Sequence, residues 1–210
     1  MVKTAGAPAF EEHARGSIAD MREAAAQCRR CELYREATQV VFGEGGKEAK
    51  VLLVGEQPGD REDELGRPFV GPAGRFLDVC LEEAGVDRQA CYVTNAVKHF
   101  KFKRVGKRRI HEKPNTGEVR QCAWWLGGEI ERMKPKLLVA LGATATFALF
   151  ARRYGVTADR GRIVETEGGL PVLITLHPSA LLRSRGRPEA EQERARFVAE
   201  LRKIKPFLTA

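Results

Sequence analysis

The sequence has no apolar run of the roughly 18 residues that a membrane-spanning helix needs. Its first sixteen residues lack the apolar core of a signal peptide, so we expect a cytoplasmic protein. The phosphate-binding patterns GxxxxGKS and GxxxxGKT are absent, and no GxGxxG turn follows an apolar run, which disfavours a nucleotide-hydrolysing enzyme. The CxxxCxxC pattern of radical enzymes is also missing, which leaves a tRNA- or nucleotide-modifying redox enzyme a weak alternative.

Cysteine is scarce, with five residues in a chain of 210. In a cytoplasmic protein these thiols stay reduced, so metal binding or core packing is favoured over disulfides. We find no internal repeat and no long linker, and a hydrophobic content of 43% is enough to bury one large core. The sequence therefore predicts a single domain over residues 17–210, preceded by a flexible N-terminal tail over residues 1–16.

The positive charge of the chain is concentrated in residues 98–113. This segment has a net charge of +7, and the whole chain has +8. Phe100 and Phe102 alternate with lysines in it, a pattern that suits a phosphate backbone with stackable bases, although a solvated basic loop has the same composition. We favour a contact with nucleic acid, because an apolar run at residues 91–97 ties the segment to the core. His111 stands among guanidinium groups, which disfavour a further positive charge, so we expect a neutral and nucleophilic imidazole near pH 7.

Apolar runs of strand length alternate with helical patterns along the rest of the chain. The runs that predict buried strands are residues 50–55, 91–97, 137–142 and 171–176, and residues 161–167 are a candidate minor strand. The helical patterns cover residues 17–30, 72–84, 118–132, 143–154 and 189–204. This order predicts an α/β fold with three αβα layers around a central, mostly parallel, four-stranded sheet.

Polar residues follow several of the predicted strands, at the edge where ligands bind in such sheets. The candidates are Glu56, Gln57, Asp60, Asn95 and His177. Each has a structural alternative: a carboxylate there can cap a turn, an asparagine can satisfy loop backbone groups, and His177 can be a helix N-cap before a proline. Phe69, in a glycine-rich stretch, is more often a core residue than a stacking surface. The convergence of several groups on one edge nevertheless favours a site.

Three motifs resemble those of a known family. They are GEQPGDREDELGRPFVGPAGRFLD at residues 55–78, CYVTNAVK at residues 91–98 and HPSALLR at residues 177–183. Together they resemble the uracil-DNA glycosylase superfamily, and in particular its iron–sulfur fourth family, over most of the chain. The sequence KRRIH at residues 107–111 resembles the insertion of the UdgX branch. Members of that branch excise uracil and then stay covalently joined to the abasic DNA through the histidine of this motif.

The resemblance implies how the base would be held. Asn95 would hydrogen-bond the edge of uracil, and Phe69 would stack on its ring. Gln57 and the neighbouring backbone amides would hold the carbonyl region. His177 would donate toward uracil O2, where negative charge collects as the base leaves.

The resemblance also implies how the sugar would react. His111 would attack C1′, with Glu56 or Asp60 stabilising the sugar cation or orienting the imidazole. Arg109 would fasten the loop and its phosphate. The wedge that enters the nucleic acid near the flipped base would consist of Leu181, Leu182 and Arg183. The adduct would be a dead end, so each molecule would turn over once.

A metal centre is implied as well. The family binds its cluster through four cysteines, and here His99 stands where one of them is expected, after the TNxVK motif. The resemblance implies a 4Fe-4S cluster with the ligands Cys28, Cys31, His99 and Cys122. From spacing alone, such a set fits structural zinc at least as well. Cys80 and Cys91 are competing ligands, but both fall on predicted core positions. We expect a structural cluster, because His99 and Cys122 bracket the reactive loop.

The sequence thus predicts a DNA-repair enzyme that excises uracil from DNA, including single-stranded DNA, and links itself covalently to the product through His111. We expect it to act as a monomer. Two alternatives stay open. One is a conventional glycosylase that turns over, and the other is a non-catalytic iron–sulfur module that binds single-stranded DNA.

Overall fold

The protein is built around one sheet with helices on both faces. The structure is a computed structural model, and it describes residues 16–151 and 153–208. In chain order the elements are α1 (Ile18–Ala26), β1 (Val51–Gly55), α2 (Asp60–Leu65), α3 (Pro72–Ala84), β2 (Cys91–Asn95), β3 (Phe102–Val105), β4 (Arg108–His111), α4 (Thr116–Met133), β5 (Leu137–Leu141), α5 (Ala143–Phe150), α6 (Val156–Asp159), β6 (Ile163–Glu165), β7 (Pro171–Thr175), α7 (Pro178–Arg183) and α8 (Ala190–Leu201). Short 3₁₀ helices cover Glu32–Arg35, Arg88–Ala90 and Arg202–Phe207.

The central sheet has five strands in the order β2-β1-β5-β7-β6. The first four are parallel, and β6 pairs with β7 in the antiparallel direction. The prediction of a mostly parallel α/β sheet is confirmed, but the number of four strands is wrong. The fifth strand is the candidate minor strand at residues 161–167, which is short and reaches the sheet only as an edge.

Both faces of the sheet are covered, which explains why its strands read as continuous apolar runs. In β1, Val51 and Leu53 face a core formed with α3, α7 and α8. Leu52 and Val54 face the opposite core, formed with α1, α4 and α5. The predicted three layers are therefore confirmed.

The basic segment differs from the predicted loop. Its middle part is a hairpin in which β3 pairs with β4, from Phe102 opposite His111 to Val105 opposite Arg108. Gly106 makes the turn with a φ of +59°, which glycine adopts without strain. The hairpin forms a separate two-stranded sheet. Successive side chains along each of its strands point to opposite faces, as in any β-strand.

Several element ends differ from the predicted ones. α1 ends at Ala26, before the CxxC pair, and α5 ends at Phe150, whereas the pattern predicted a helix to residue 154. α3 covers the predicted residues 72–84. Of the predicted flexible tail, residues 1–15 lie outside the described residues. No helix in the described part of the chain is both long enough and apolar enough to cross a membrane.

Candidate active site

The candidate base site is the space around Gly55 at the carboxyl ends of β1 and β2, where Gly55 is paired with Asn95 and the side chains of Asn95 and Phe69 approach each other. A Cβ atom on Gly55 would lie 2.3 Å from Asn95 Oδ1 and 2.6 Å from Phe69 Cζ, so only glycine leaves room for both side chains. Asn95 is buried, and no hydrogen bond between described residues uses its side-chain amide. A buried amide with its donors and acceptor available is suited to a planar polar ligand.

Phe69 forms one wall of this space. Its φ is +58°, in the left-handed region that non-glycine residues rarely adopt. Gly74 on α3 makes this backbone position possible, since a Cβ on Gly74 would lie 1.7 Å from the carbonyl oxygen of Phe69. The Phe69 ring is buried and lies 6.3 Å from the ring of His177, centroid to centroid. It therefore fills core space and also borders the space beside Asn95.

His177 caps α7 and faces the same space. Its Nδ1 accepts the backbone N–H of Ser179 at 3.2 Å, which confirms the N-cap expectation. The pKa of His177 is lowered to about 4, mainly by burial and to a smaller extent by its neighbours His111 and Arg183. The ring is therefore neutral at pH 7. With Nδ1 used as an acceptor, the proton lies on Nε2, which can donate to a ligand.

Glu56 connects the hairpin with the sheet edge. Its Oε1 lies 3.4 Å from Nε2 of His111, the last residue of β4. Its Oε2 accepts the hydroxyl of Thr144, which belongs to the first turn of α5. The side chain of His111 is 49% exposed, so a ligand can reach it from solvent. One carboxylate oxygen is thus fixed, and the other faces a reachable imidazole.

Arg109 holds the hairpin against α2. Its Nε lies 2.6 Å from Oδ1 of Asp60, and its Nη1 lies 2.6 Å from Oδ2 of Asp63, whose carboxylate is completely buried. Asp60 is therefore engaged by Arg109, and Glu56 is the carboxylate beside His111. The predicted fastening of the loop agrees with these contacts. The predicted contact of Arg109 with a phosphate stays a prediction, and it would form beside these two ion pairs.

Gln57 holds the base of the hairpin. Its Oε1 accepts the backbone N–H of Lys101 at 3.1 Å, and its Nε2 donates to the carbonyl oxygens of Lys101 and Glu112, both at 3.1 Å. Both donors of this side chain are thus used within the protein. The contact of Gln57 with uracil therefore stays a prediction, and the neighbouring backbone amides are the other groups that the resemblance assigns to it.

The basic segment is only partly available to a partner. Lys98 is completely buried, 2.6 Å from the equally buried carboxylate of Glu129, and Lys101 pairs with Glu118 at 3.1 Å. Phe100 is 1% exposed, so its predicted stacking on a base is wrong. Its neighbour on the hairpin, Phe102, packs against it at 5.1 Å. The exposed cations of the segment are Lys103, Arg104, Lys107, Arg108 and Lys113.

The predicted wedge is smaller than expected. Leu181 is 5% exposed and packs in the core under α3, so little of its side chain is available to a ligand in this structure, and its role in the wedge stays a prediction. Leu182 is half-buried and Arg183 is exposed. Arg183 donates to Ser179 Oγ at 3.2 Å. These two residues are the part of the motif that can meet a ligand at the surface.

The family model described as the uracil DNA glycosylase superfamily matches residues 42–202. The chain belongs to this superfamily.

Three curated relatives are similar over nearly their full lengths. A type-4 uracil-DNA glycosylase of Thermotoga maritima is 39% identical over 87% of this chain and 90% of the relative. The type-4 uracil-DNA glycosylase of Pyrobaculum aerophilum is 36% identical, over 84% of this chain and 91% of its own length. The type-4 uracil-DNA glycosylase of Archaeoglobus fulgidus is 31% identical, over 90% of this chain and 92% of the relative.

Three cysteines lie close together in this superfamily member. The pKa of the Cys122 thiol is raised to about 12, mainly by burial; Lys98 opposes this shift, and the nearby Cys31 and Cys28 thiols contribute to it. Trp125 Nε1 donates to Cys28 Sγ, and the backbone N–H of Lys98 donates to Cys122 Sγ, both at 3.1 Å. Such N–H donors stabilise thiolates that bind a metal.

The predicted four-ligand set is not assembled. Among residues 16–151 and 153–208, no group of three or more His, Cys, Asp or Glu side chains has the arrangement to hold a metal ion. His99 is buried, which lowers the pKa of its imidazole, and the nearby charge of Asp63 opposes this shift. The residues therefore fit a cluster only in part. Cys80 and Cys91 are completely buried in the other core, as predicted for packing residues.

The sequence motifs missed two groups that complete the site. Thr144 follows β5 directly, so the rule that ligands bind at strand ends could have found it. Asp63 lies three residues after Asp60 in α2, and no feature of the sequence indicated that it would be buried beneath Arg109.

Proposed function

We propose that this protein excises uracil from DNA. The observation that carries the proposal is the convergence of Asn95, Phe69 and His177 at the end of β1, where glycine at position 55 leaves room for the side chains of Asn95 and Phe69. It offers an amide for the edge of a pyrimidine, an aromatic wall for its ring and an N–H donor from a neutral imidazole. The names of the type-4 relatives support the same activity.

His177 would stabilise the leaving base. As the C1′–N1 bond breaks, its electron pair passes to uracil, and negative charge grows on uracil O2. The imidazole of His177 is neutral at pH 7, since burial holds the pKa of His177 near 4, and its Nε2–H can donate to such an oxygen. Glu56 would face the sugar cation that forms on the other side of the breaking bond.

We propose further that His111 captures this cation, as in the UdgX branch. A lone pair of the imidazole would form a bond to C1′. The ring would then lose its N–H proton to solvent and the uracil anion would gain one, so that charge and protons balance. The distance of 3.4 Å between His111 and Glu56 supports this step, because it places the nucleophile beside the group that attracts the cation.

The substrate would be DNA whose uracil is already unpaired. The exposed cations of the hairpin would meet the phosphates of the strand. The burial of Leu181 leaves a small wedge, which favours a base that need not be pushed out of a duplex. We therefore propose single-stranded DNA as the preferred substrate.

A denaturing gel tests both the excision and the covalent step. The protein is mixed with an oligonucleotide that contains uracil or thymine, and His111→Ala and the exposed neighbouring variant Glu112→Gln are run in parallel. We expect a band that survives heat and detergent only with uracil, for the wild type and Glu112→Gln. A full yield of this band from His111→Ala would show that another group is the nucleophile. Abasic sites beyond one per protein molecule would indicate a conventional glycosylase. If neither the adduct nor abasic sites formed, the proposed activity would be refuted.

We also propose that Cys28, Cys31 and Cys122 bind a 4Fe-4S cluster with His99 as fourth ligand. The closeness of the thiols and the N–H donors to Cys28 and Cys122 support this assignment. The cluster would fasten α4 to the segment before the hairpin and take no part in the reaction. The cluster is tested by measuring the visible absorption of the purified protein and its content of iron, sulfide and zinc. The same measurements compare the ligand variant Cys122→Ser with the core variant Cys80→Ser. Stoichiometric zinc without iron would overturn it.

A further inference from the structure

A second concave site lies beside the candidate active site. A cavity of about 350 Å³ opens between the residues that follow the hairpin, the start of α4, the first half of α5 and the residues that follow α5. Its lining includes Lys113, Thr116, Thr144, Phe147 and Tyr154. This volume falls within the range of about 300–1,000 Å³ that is usual for ligand sites.

Thr144 is shared by the cavity and the active site. It lines the cavity, and its hydroxyl donates to Oε2 of Glu56, whose other oxygen faces His111. The cavity therefore adjoins the place where the sugar of the target nucleotide would react. The first turn of α5, which lines the cavity, follows the carboxyl end of β5. Because β5 is parallel to β1, the cavity opens at the same edge of the sheet as Asn95.

The lining indicates the chemistry of the ligand. Lys113 is the one charged residue among the described residues that form the cavity, and it is exposed. Phe147 and Tyr154 supply aromatic surface and are each half-buried, so each keeps some surface for a ligand. The Tyr154 ring also contacts Phe150, 4.8 Å away in an edge-to-face arrangement, and the exposed Arg153 guanidinium lies over it at 5.3 Å from the ring centroid. One cation beside aromatic walls fits an anionic ligand that carries a flat ring.

We propose that this cavity binds the nucleotide next to the target uracil in the same DNA strand. The base stacks on Tyr154 and Phe147, and the phosphate between the two nucleotides lies at Lys113. Thr116 is exposed at the rim and offers a hydroxyl to the base edge. The proposal rests on the proposed function, because it places the strand by the uracil site. It adds a second contact that positions C1′ before Glu56 and His111.

The test measures the affinity for short single strands that cannot be cleaved. Each strand carries 2′-fluoro-arabino-uridine, because its fluorine makes the glycosidic bond resistant to cleavage. One strand is intact, and in two others a tetrahydrofuran spacer replaces the neighbouring nucleotide on the 5′ or the 3′ side. Fluorescence anisotropy gives Kd for the wild type, Tyr154→Ala, Tyr154→Phe and Lys113→Ala. Tyr34→Ala and Lys47→Ala are matched controls, since Tyr34 is also half-buried and Lys47 is also exposed, and neither lines the cavity.

We expect one of the two spacers to raise Kd of the wild type about tenfold, as loss of one stacked base does. In Tyr154→Ala the intact strand should already bind about tenfold more weakly, and the same spacer should have no further effect. Tyr154→Phe should keep the wild-type pattern, and Lys113→Ala should weaken binding of every strand. Equal spacer effects in the wild type and Tyr154→Ala, or no spacer effect in either, would overturn the proposal.

A parallel assay keeps the two proposals apart. The same proteins are incubated with strands that contain ordinary deoxyuridine, and excised uracil is measured. Excision by the wild type without any coupling between the spacer and Tyr154 would remove the second site and leave the proposed function intact. Coupling in the binding assay without excision would support the second site and contradict the proposed function. Thermal unfolding of each variant shows that a loss of binding is not a loss of fold.

Discussion

The two oxygens of Glu56 have different partners, and this division depends on one hydroxyl. Thr144 fixes Oε2 and leaves Oε1 toward His111. In Thr144→Val the side chain keeps its shape but loses the donor, so the carboxylate gains rotational freedom. We expect uracil excision to slow by about tenfold with little change in DNA affinity, because orientation of the charge toward the sugar is lost.

Single-turnover excision kinetics and binding of an uncleavable strand measure these two quantities separately. Thr157→Val is a suitable control, since Thr157 is exposed on α6. An unchanged excision rate in Thr144→Val would show that Glu56 is oriented without this hydrogen bond.

The half-buried imidazole of His177 predicts a pH dependence of stability. Its pKa is lowered by burial from the ordinary 6.5 to about 4, so between these values the unfolded chain binds a proton that the native protein does not. The free energy of unfolding should therefore rise with pH from about 4 to 6.5, by an amount on the order of 3 kcal/mol, and stay constant above that range as far as His177 is concerned. Urea unfolding at pH 4.5, 5.5 and 7 measures it.

The comparison that isolates this effect uses His177→Asn, which keeps a capping side chain without a titrating group. Its free energy of unfolding should depend less steeply on pH over the same range. Identical slopes in the two proteins would mean that His177 does not contribute.

Single residues were predictable where their environment is local. The N-cap role of His177 follows from Pro178 beside it, and the core positions of α3 follow from helical spacing. The roles of Lys98 and Leu181 depend on distant partners. Lys98 is neutralised by Glu129, 31 residues away, and Leu181 is buried by α3. No motif contains that information.

Among the elements, the hairpin β3–β4 is held to the rest of the protein by contacts of its polar side chains. Gln57 bonds the backbone at its base, and Arg109 reaches two carboxylates of α2. A segment so rich in charge gives no apolar alternation, so its strands could not be predicted from hydrophobic pattern. The same charge pattern pointed to His111, which the structure places beside Glu56, and its chemical role stays a prediction.

Loss of the buried carboxylate in α2 should loosen this hairpin. Asp63 accepts both Arg109 and the backbone N–H of Thr38, and its side chain is completely buried. Asp63→Asn removes the charge that neutralises Arg109, so we expect faster hydrogen exchange over residues 102–111 and slower adduct formation. Asp60→Asn should have a smaller effect, because the Asp60 side chain is 50% exposed and its ion pair is screened by water.

Hydrogen exchange read by mass spectrometry, together with the rate of adduct formation, measures both effects. Equal exchange in Asp63→Asn and the wild type would mean that Gln57 alone holds the hairpin.

Across the whole molecule, the sequence predicted the layers and the edge of the sheet that carries the site. Both follow from the alternation of apolar strands and helices, which is a property of the entire chain. The fifth strand was less visible because only three residues, Ile163–Glu165, pair at the edge. The distribution of free charge could not be predicted, because it depends on which cations the fold pairs with acids.

The net charge of +8 overstates what a DNA strand meets. Lys98, Lys101 and Arg109 are paired within the protein, and the hairpin keeps a smaller set of exposed cations. Removal of two of these, in Lys103→Ala/Lys107→Ala, should weaken binding of an uncleavable single strand and flatten its salt dependence. The slope of log K against log salt should fall by about 1.4, since each lost phosphate contact on a single strand contributes about 0.7.

Titrations at several salt concentrations give this slope directly. The matched control is Lys47→Ala/Arg202→Ala, which removes two exposed cations outside the hairpin and changes the net charge equally. If net charge alone attracts the strand, both double variants will lose affinity to the same extent, and the slope will change in neither or equally in both. If the hairpin holds the phosphates, only Lys103→Ala/Lys107→Ala will show the lower slope, because counterions are released only where phosphates are contacted.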